Sequence, residues 1–269
     1  MIYKDALGRK IDITQSPKRI ISLVPSLTEL LHDMGLERAI VGVTKYCVHP
    51  AHYRHTKTIV GGTKKVKFPA IKALNPDFIL CSKEENTAEM VAELEKIAPV
   101  YVSDVQTFDG ALELIKNLGL VLNRRTQAGH IIDKIEHRYR AFRASIEKLR
   151  PYKSVYFIWA NPWMVAGGKT FINDMMRISG LKNAYEHLER YPEINIKRIR
   201  ITGDDPELFM FSSEPYHFTD EEVFEVLRSN KKVLTIYVDG TYFSWYGSRL
   251  IKAFDHFEQM HQKIKSYWP

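Results

Sequence analysis

The sequence predicts an α/β fold in which two α/β lobes are joined by one long helix. Three observations carry this. Buried-strand patterns alternate with helical ones through the N-terminal part, an unbroken helical pattern runs from Arg125 to Leu149, and a second alternating series follows Pro151. The expected division is 1–122 for the first lobe, 123–150 for the linking helix and 151–269 for the second lobe.

In order along the chain, "RIISLVPS" reads as a buried strand. Ser26 is placed to cap a helix through "LTELLHDMG", with Glu29 completing a capping box and Gly35 ending it. "AIVGVT" is the second strand. "FPAIKALNPDFIL" gives a short helix leading into a third, and "TAEMVAELEKIAPVYVS" a helix leading into a fourth. Apolar residues at Ile131, Ile132, Ile135, Tyr139, Phe142 and Ile146 mark one face of the long helix. The second series contains the strand "SVYFIWA", the helix "TFINDMMRISG", the strands "LFMFSS" and "VLTIYVD", and the closing helix "SRLIKAFDHFEQMHQKIKSYW". Strands separated by helices imply mainly parallel sheets.

With 269 residues, 45% hydrophobic and 26% charged, the chain has the composition of a soluble globular protein. No apolar run approaches the roughly 20 residues that cross a bilayer. The opening "MIYKDALGRKIDITQSPKRIISLVPS" lacks the pattern of a signal peptide, so either export is absent, leaving a cytoplasmic location open, or the signal has been removed. Two cysteines, Cys47 and Cys81, cannot build a dense disulfide framework. The net charge of +7 includes clusters at Lys64-Lys65-Val66-Lys67 and Lys197-Arg198-Ile199-Arg200, read first as solvated surface and second as attractors of anionic ligands or surfaces. No zinc-finger spacing or aromatic RNA-binding signature points to a nucleic-acid partner.

One stretch, "WANPWMVAGGKTFIND", ends in Gly168-Lys169-Thr170, like the tail of a phosphate-binding loop. The full pattern needs a glycine five residues earlier, where Trp163 stands, and an indole there cannot supply the turn that aims backbone amides at phosphates. A nucleotide loop is therefore not expected.

The strings "PKRIISLVPSLTELLHDMG", "VGVTKYCVHP", "VGG" at 60–62, "IKALNPDFIL", "AGGKTFINDMMRISGLKNAY" and "SRLIKAFDHF", in this order and spacing, resemble the landmarks of the class III periplasmic binding proteins, the helical-backbone metal receptors. The resemblance implies two lobes on one backbone helix, a ligand cleft between the lobes and little closure on binding. It implies a binding protein rather than an enzyme, with no intrinsic cofactor. The ligand would be a metal complex: cobalamin first, with ferric siderophore or haem as alternatives, held for an ABC importer outside the cytoplasm. It also turns Gly167-Gly168-Lys169-Thr170 into the turn before the first helix of the second lobe, with Thr170 or Asn173 at the helix start. Transporter-bound members carry a docking glutamate on each lobe. The matching places fall near Pro69 and Lys197, neither acidic, which weakens the expectation of a permease partner and leaves a repurposed, non-transport member as an alternative.

Ligand loops in open α/β sheets follow the carboxyl ends of the strands. That rule selects Tyr46 and Cys47, the segment Lys83-Glu84-Glu85-Asn86 with Glu85 foremost, Trp159, Asn161 and Trp163, and Tyr242, Phe243, Trp245 and Tyr246. The aromatic density suits a large flat ligand, although packing between lobe and loop is the competing explanation for each ring.

"YCVHPAHYRH" brings Cys47, His49, His52 and His55 close together, all types that bind transition metals. Pro50 makes one regular helix through them doubtful, so a surface histidine cluster is the simpler reading, with His49 the candidate axial ligand to a bound iron or cobalt complex. Ser26, His49 and Asp104 could be drawn as a hydrolase triad, but no G-x-S-x-G elbow, H-E-x-x-H motif or dinucleotide fingerprint is present.

Overall fold

The structure is a computed structural model describing residues 2–267, so Trp268, at the end of the expected last helix, lies outside the described residues together with Met1 and Pro269. The chain forms two compact units. The first takes the chain up to Val105, then Asp109–Ile135 and Tyr246–Arg249; the second takes Gln106–Phe108, Glu136–Trp245 and the chain from Leu250.

The first unit opens with an antiparallel hairpin of β1 (Ile2–Lys4) and β2 (Lys10–Asp12). The Asp5 carboxylate secures it, accepting from the amides of Leu7, Arg9 and Val102. There follow β3 (Ile20–Ser22), α1 (Pro25–Asp33), β4 (Ile40–Val43), α2 (Tyr53–Thr56), β5 (Thr58–Ile59), α3 (Phe68–Ala73), β6 (Phe78–Ser82), α4 (Ala88–Glu95) and β7 (Val100–Ser103). The five later strands make a parallel sheet in the order β5-β4-β3-β6-β7. β3, β6 and β7 are buried at every position, as expected of parallel strands covered on both faces, and their apolar runs were readable for that reason.

The start of α1 differs from expectation. Its N-cap is Val24, Pro25 occupies the first turn, and no side chain caps the helix. Proline has the backbone angle of that position already and lacks the amide that would need a partner, so it displaces Ser26 from the cap. Ser26 is buried, and Glu29 turns instead to Arg249, whose Nε and Nη2 donate to its two oxygens at 2.8 and 2.9 Å. Gly35 does end the helix, at φ +74°.

Two helices carry the chain onward. α5 (Phe108–Val121) was not anticipated as a separate element. α6 (Arg125–Ile146) is the expected long helix, ending at Ile146 rather than Leu149, and the division between the units falls within it, after Ile135.

The second unit contains β8 (Tyr152–Trp159), β9 (Met164–Val165), α7 (Phe171–Ile178), β10 (Leu181–Asn183), a 3-10 turn at Ile196–Arg198, α8 (Ile199–Thr202), β11 (Leu208–Ser212), α9 (Asp220–Ser229), β12 (Leu234–Val238), α10 (Thr241–Ser244) and α11 (Leu250–Tyr267). Its parallel sheet has the order β10-β8-β11-β12, with β9 antiparallel on β8. On one side Phe157 of β8 stacks on Phe211 of β11 at 4.6 Å between centroids, while Phe142 packs against Phe254 and Phe257 of α11. The Gly-Lys-Thr stretch is a helix start: Thr170 is the N-cap of α7, its Oγ1 accepting from the Asn173 amide at 3.1 Å. A Cβ on Gly167 or Gly168 would overlap the backbone oxygens of Leu188 and Glu186, so these glycines permit a close backbone approach and not a phosphate cradle.

Candidate functional site

Each sheet presents loops at the carboxyl ends of its strands, and these loops separate the sequence candidates into exposed groups and packing groups. In the first unit, Tyr46 follows β4 and is 50% exposed, with Lys45 Nζ 4.9 Å from its ring centroid. Its neighbour Cys47 is fully buried. The Cys47 thiol lies 3.1 Å from Thr28 Oγ1 and 3.2 Å from Thr44 Oγ1, and burial raises its pKa above the usual thiol value. The sequence selected Cys47 as a ligand contact; here its thiol packs inward against two threonines. The alternation is simple: a tight turn after β4 sends one side chain out and the next in.

After β6, Lys83 pairs with Asp104 at 2.6 Å, and Lys64 donates to the Glu84 carbonyl at 2.7 Å. Glu85 is half-buried, and desolvation raises the pKa of its carboxyl, with a Thr63 hydrogen bond and the Lys64 charge acting in the opposite direction. Asn86 is internal scaffolding, donating to the Thr63 carbonyl at 2.7 Å and accepting from the Ser82 amide at 2.9 Å. The loop that carries Lys83, Glu84 and Glu85 is therefore pinned at its base.

The histidine segment does not assemble a metal centre. His52 Nε2 lies 2.7 Å from Glu37 Oε1, His32 Nδ1 lies 3.0 Å from the Tyr53 hydroxyl, and His55 is exposed on α2. Glu37 is held below the usual carboxylate value by the His52 hydrogen bond. Among the described residues, no three His, Cys, Asp or Glu side chains are grouped to hold a metal ion. With Cys47 turned inward, the four residues from Cys47 to His55 do not converge; His49 is half-buried.

In the second unit, Trp159 ends β8 and is 39% exposed, its ring 5.1 Å from that of Tyr216. Tyr216 in turn sits 4.9 Å from Phe218 and donates its hydroxyl to Glu222. Asn161 is exposed at φ +57°, at the turn between β8 and β9. Trp163 faces inward. It is 8% exposed, stacked on Phe218 at 6.0 Å and edge-on to Phe157 at 5.8 Å. The sequence selected it as a ligand contact; here its ring packs in the core beside the sheet.

The segment after β12 is mostly internal as well. Phe243 is fully buried between Tyr156 and Phe257, at 5.2 and 4.9 Å, and Trp245 is also buried. Tyr242 is half-buried and stacks on His256 at 4.6 Å. Tyr246 belongs to the first unit, where its hydroxyl donates to Ser82 Oγ at 2.9 Å and lies 3.3 Å from Ser103 Oγ; burial pushes its pKa up to about 12. Phe243, Trp245 and Tyr246 are therefore structural in these positions.

Sequence reasoning missed the loop after β11, Ser213–Thr219, which supplies Tyr216 and His217. Beside it lies a depression of about 310 Å³ lined by residues including Ser213, His217, Asp220 and Tyr237, where the Tyr237 hydroxyl donates to Asp220 Oδ1 at 2.6 Å. The same carboxyl-end rule that selected the other loops would have found it.

A family described as periplasmic binding protein matches residues 20–230. An uncharacterized ABC transporter substrate-binding lipoprotein of Bacillus subtilis, YvrC, is 26% identical over 188 residues, which is 67% of this chain and 59% of that relative, so the match spans under two thirds of the relative's length. A vitamin B12-binding protein of Yersinia pseudotuberculosis is 23% identical over 199 residues, 74% of this chain and 70% of that relative. Among solved structures, Staphylococcus aureus SirA complexed with staphyloferrin B superposes with a TM-score of 0.78 at 18% identity, covering 98% of each chain; at that identity the likeness is one of fold.

Proposed function

The chain belongs to the periplasmic binding protein family, and we propose that this member captures a metal-containing small molecule, cobalamin first, for uptake by an ABC importer outside the cytoplasm. Family membership makes it a binder and not an enzyme. The observation that carries the ligand reading is the pair of accessible aromatic rings at strand carboxyl ends of the second unit, Trp159 and Tyr216, with centroids 5.1 Å apart; the first unit has its own accessible ring, Tyr46, after β4. Such rings supply broad apolar contact to a flat macrocycle at small entropic cost. The kinship with a B12-binding relative supports cobalamin within that class. No helix among the described residues is long and apolar enough to cross a membrane.

A ferric siderophore or haem is the second reading, favoured by Lys45, beside the Tyr46 ring, and by Lys64, whose charge acts on Glu85; both would complement ligand carboxylates. Mixing the purified protein with cobalamin, haem or a ferric siderophore, desalting it and recording the visible spectrum separates these. Retained cobalamin absorbance is expected. Retention of haem or siderophore alone would establish the second reading, and retention of none would overturn both.

A further inference from the structure

The end strands of the two parallel sheets are treated unequally. In the first unit β5 has only two residues, and the edge of β7 is closed by the turn between β1 and β2. There the Ala6 amide donates to the Val102 carbonyl at 3.3 Å, the Asp5 carboxylate accepts from the Val102 amide at 3.2 Å, and Arg9 Nη2 donates to the Val100 carbonyl at 3.2 Å. Short strands and covered edges keep a sheet from pairing with other chains. In the second unit β10 has three residues, whereas β12 ends its sheet with five, in unbroken register on β11 and without proline, lysine or bulge. Among the described strands β12 pairs only with β11. The Leu234 amide and the Val238 carbonyl bond on the β11 side. Because direction alternates along a strand, the amides and carbonyls of Val233, Thr235 and Tyr237 point to the free edge.

α9 adds side chains to this edge. The Tyr237 hydroxyl donates to Asp220 Oδ1 in the first turn of α9 at 2.6 Å, which fixes the side of the helix nearest the strand. Phe224 and Arg228 follow at intervals of four and lie along that side. Phe224 is 61% and Tyr237 49% exposed, and Arg228 is exposed. An acid, an aromatic ring and a base thus run in order beside the strand, an order complementary to itself when reversed. We propose that two copies of the chain form a two-fold dimer through β12, antiparallel about Ile236. In that register Thr235 of each copy exchanges both backbone bonds with Tyr237 of the other, and Val233 of one falls across from Asp239 of the other. α9 runs antiparallel to β12, advancing about 1.5 Å per residue against about 3.3 Å for the strand, so Arg228, about 12 Å beyond Asp220, stands near the level of Val233. It therefore comes close to the level of the other copy's Asp220, while the two Phe224 rings flank the axis. This charge order selects a second copy over an extended segment of another protein, which would use the backbone edge alone. The inference stands apart from the identity of the captured ligand, because none of these residues is among the aromatic loop groups.

The test is sedimentation velocity of the full chain from about 1 µM to about 100 µM, where a reversible two-copy species should grow with concentration. Thr235→Pro removes an outward amide and no bond to β11, a change that edge strands tolerate, and should weaken the dimer about tenfold. Phe224→Glu should weaken it about tenfold or more. Arg228→Glu should weaken it several-fold, and Asp220→Arg/Arg228→Glu should recover most of that loss, since each copy then carries the reversed order. Tyr267→Ser, which removes a comparably exposed ring from α11, should change it by less than about twofold. Far-ultraviolet circular dichroism checks that each variant is folded; should Thr235→Pro unfold, the Phe224 and Arg228 variants decide. A monomer at every concentration would overturn the inference and leave the edge to a different chain. So would a dimer unmoved by the β12 and α9 variants, which would place the contact elsewhere, or growth beyond two copies, which an edge paired with itself does not allow.

Discussion

Trp159 and Trp163 stand four residues apart in one aromatic stretch, yet the first is 39% exposed and the second is packed on Phe218 and Phe157. The sequence could place both at the end of a strand and could not say which ring faces water. β8 is buried at five consecutive positions from Ser154 to Ile158, so it lacks the in-and-out alternation that would fix a face. Cys47 and Tyr46 pose the same problem in a turn, where one residue of register reverses the assignment. The difference is measurable. Trp163→Ala should cost about 3–5 kcal/mol of stability in urea unfolding, as large-to-small changes of buried aromatic rings do. Trp159→Ala should leave the urea midpoint almost unchanged while lowering affinity for the retained ligand about tenfold to a hundredfold. A reversed pattern would move the contact surface back to Trp163.

Elements whose identity rests on local chemistry were the most legible. β3, β6 and α6 follow from apolar runs and periodicity, and the α7 start from Thr170. The capping box expected at α1 occurs instead at α9, where Thr219 and Glu222 bond reciprocally, because Pro25 pre-empts the first helix and nothing competes at the second. α11 carries a feature that periodicity hides: two histidines on its inner side. His256 and His261 are both held below the ordinary 6.5 by desolvation, which disfavours the imidazolium. The His261 Nε2 lies 2.6 Å from the Ser179 carbonyl, a contact made as donor in the neutral ring. Because both folded-state values are depressed, the native state binds fewer protons than the unfolded chain just below 6.5. Stability is full above that pH and is lost as the pH falls from 6.5 towards the folded-state values. Urea midpoints measured between pH 7.5 and 5 should decline, and His256→Gln/His261→Gln should flatten that decline; an equally steep slope in the double variant would assign the acid sensitivity to carboxylates.

The chain as a whole is less separable than its linear order suggests. A reading by sequence places everything after Pro151 in the second lobe, but Tyr246–Arg249 is built into the first unit although α10 and α11 on either side belong to the second. Nothing local in "SWYGSRL" announces this, since the partners lie far away in sequence: Tyr246 bonds across 164 residues to Ser82, and Arg249 across 220 to Glu29. The Glu29–Arg249 pair is nearly enclosed, with side chains 13% and 8% exposed, so its geometry is fixed and removing one partner strands the other charge in a poorly solvated place. A fragment ending at Arg150 would contain every strand of the first sheet and still lack this insert. Glu29 would lose both guanidinium bonds, and the Ser82 hydroxyl its tyrosine partner. Loss of one member of such a pair costs about 3–5 kcal/mol when fully buried and somewhat less at this exposure, comparable to a large part of the stability of a small domain. The fragment should therefore unfold at markedly lower urea than the first unit does in the full chain, followed by tyrosine fluorescence and far-ultraviolet circular dichroism. Arg249→Ala in the full chain should reproduce part of that loss, whereas a fragment as stable as the parent would show that the four-residue insert is incidental to the first unit.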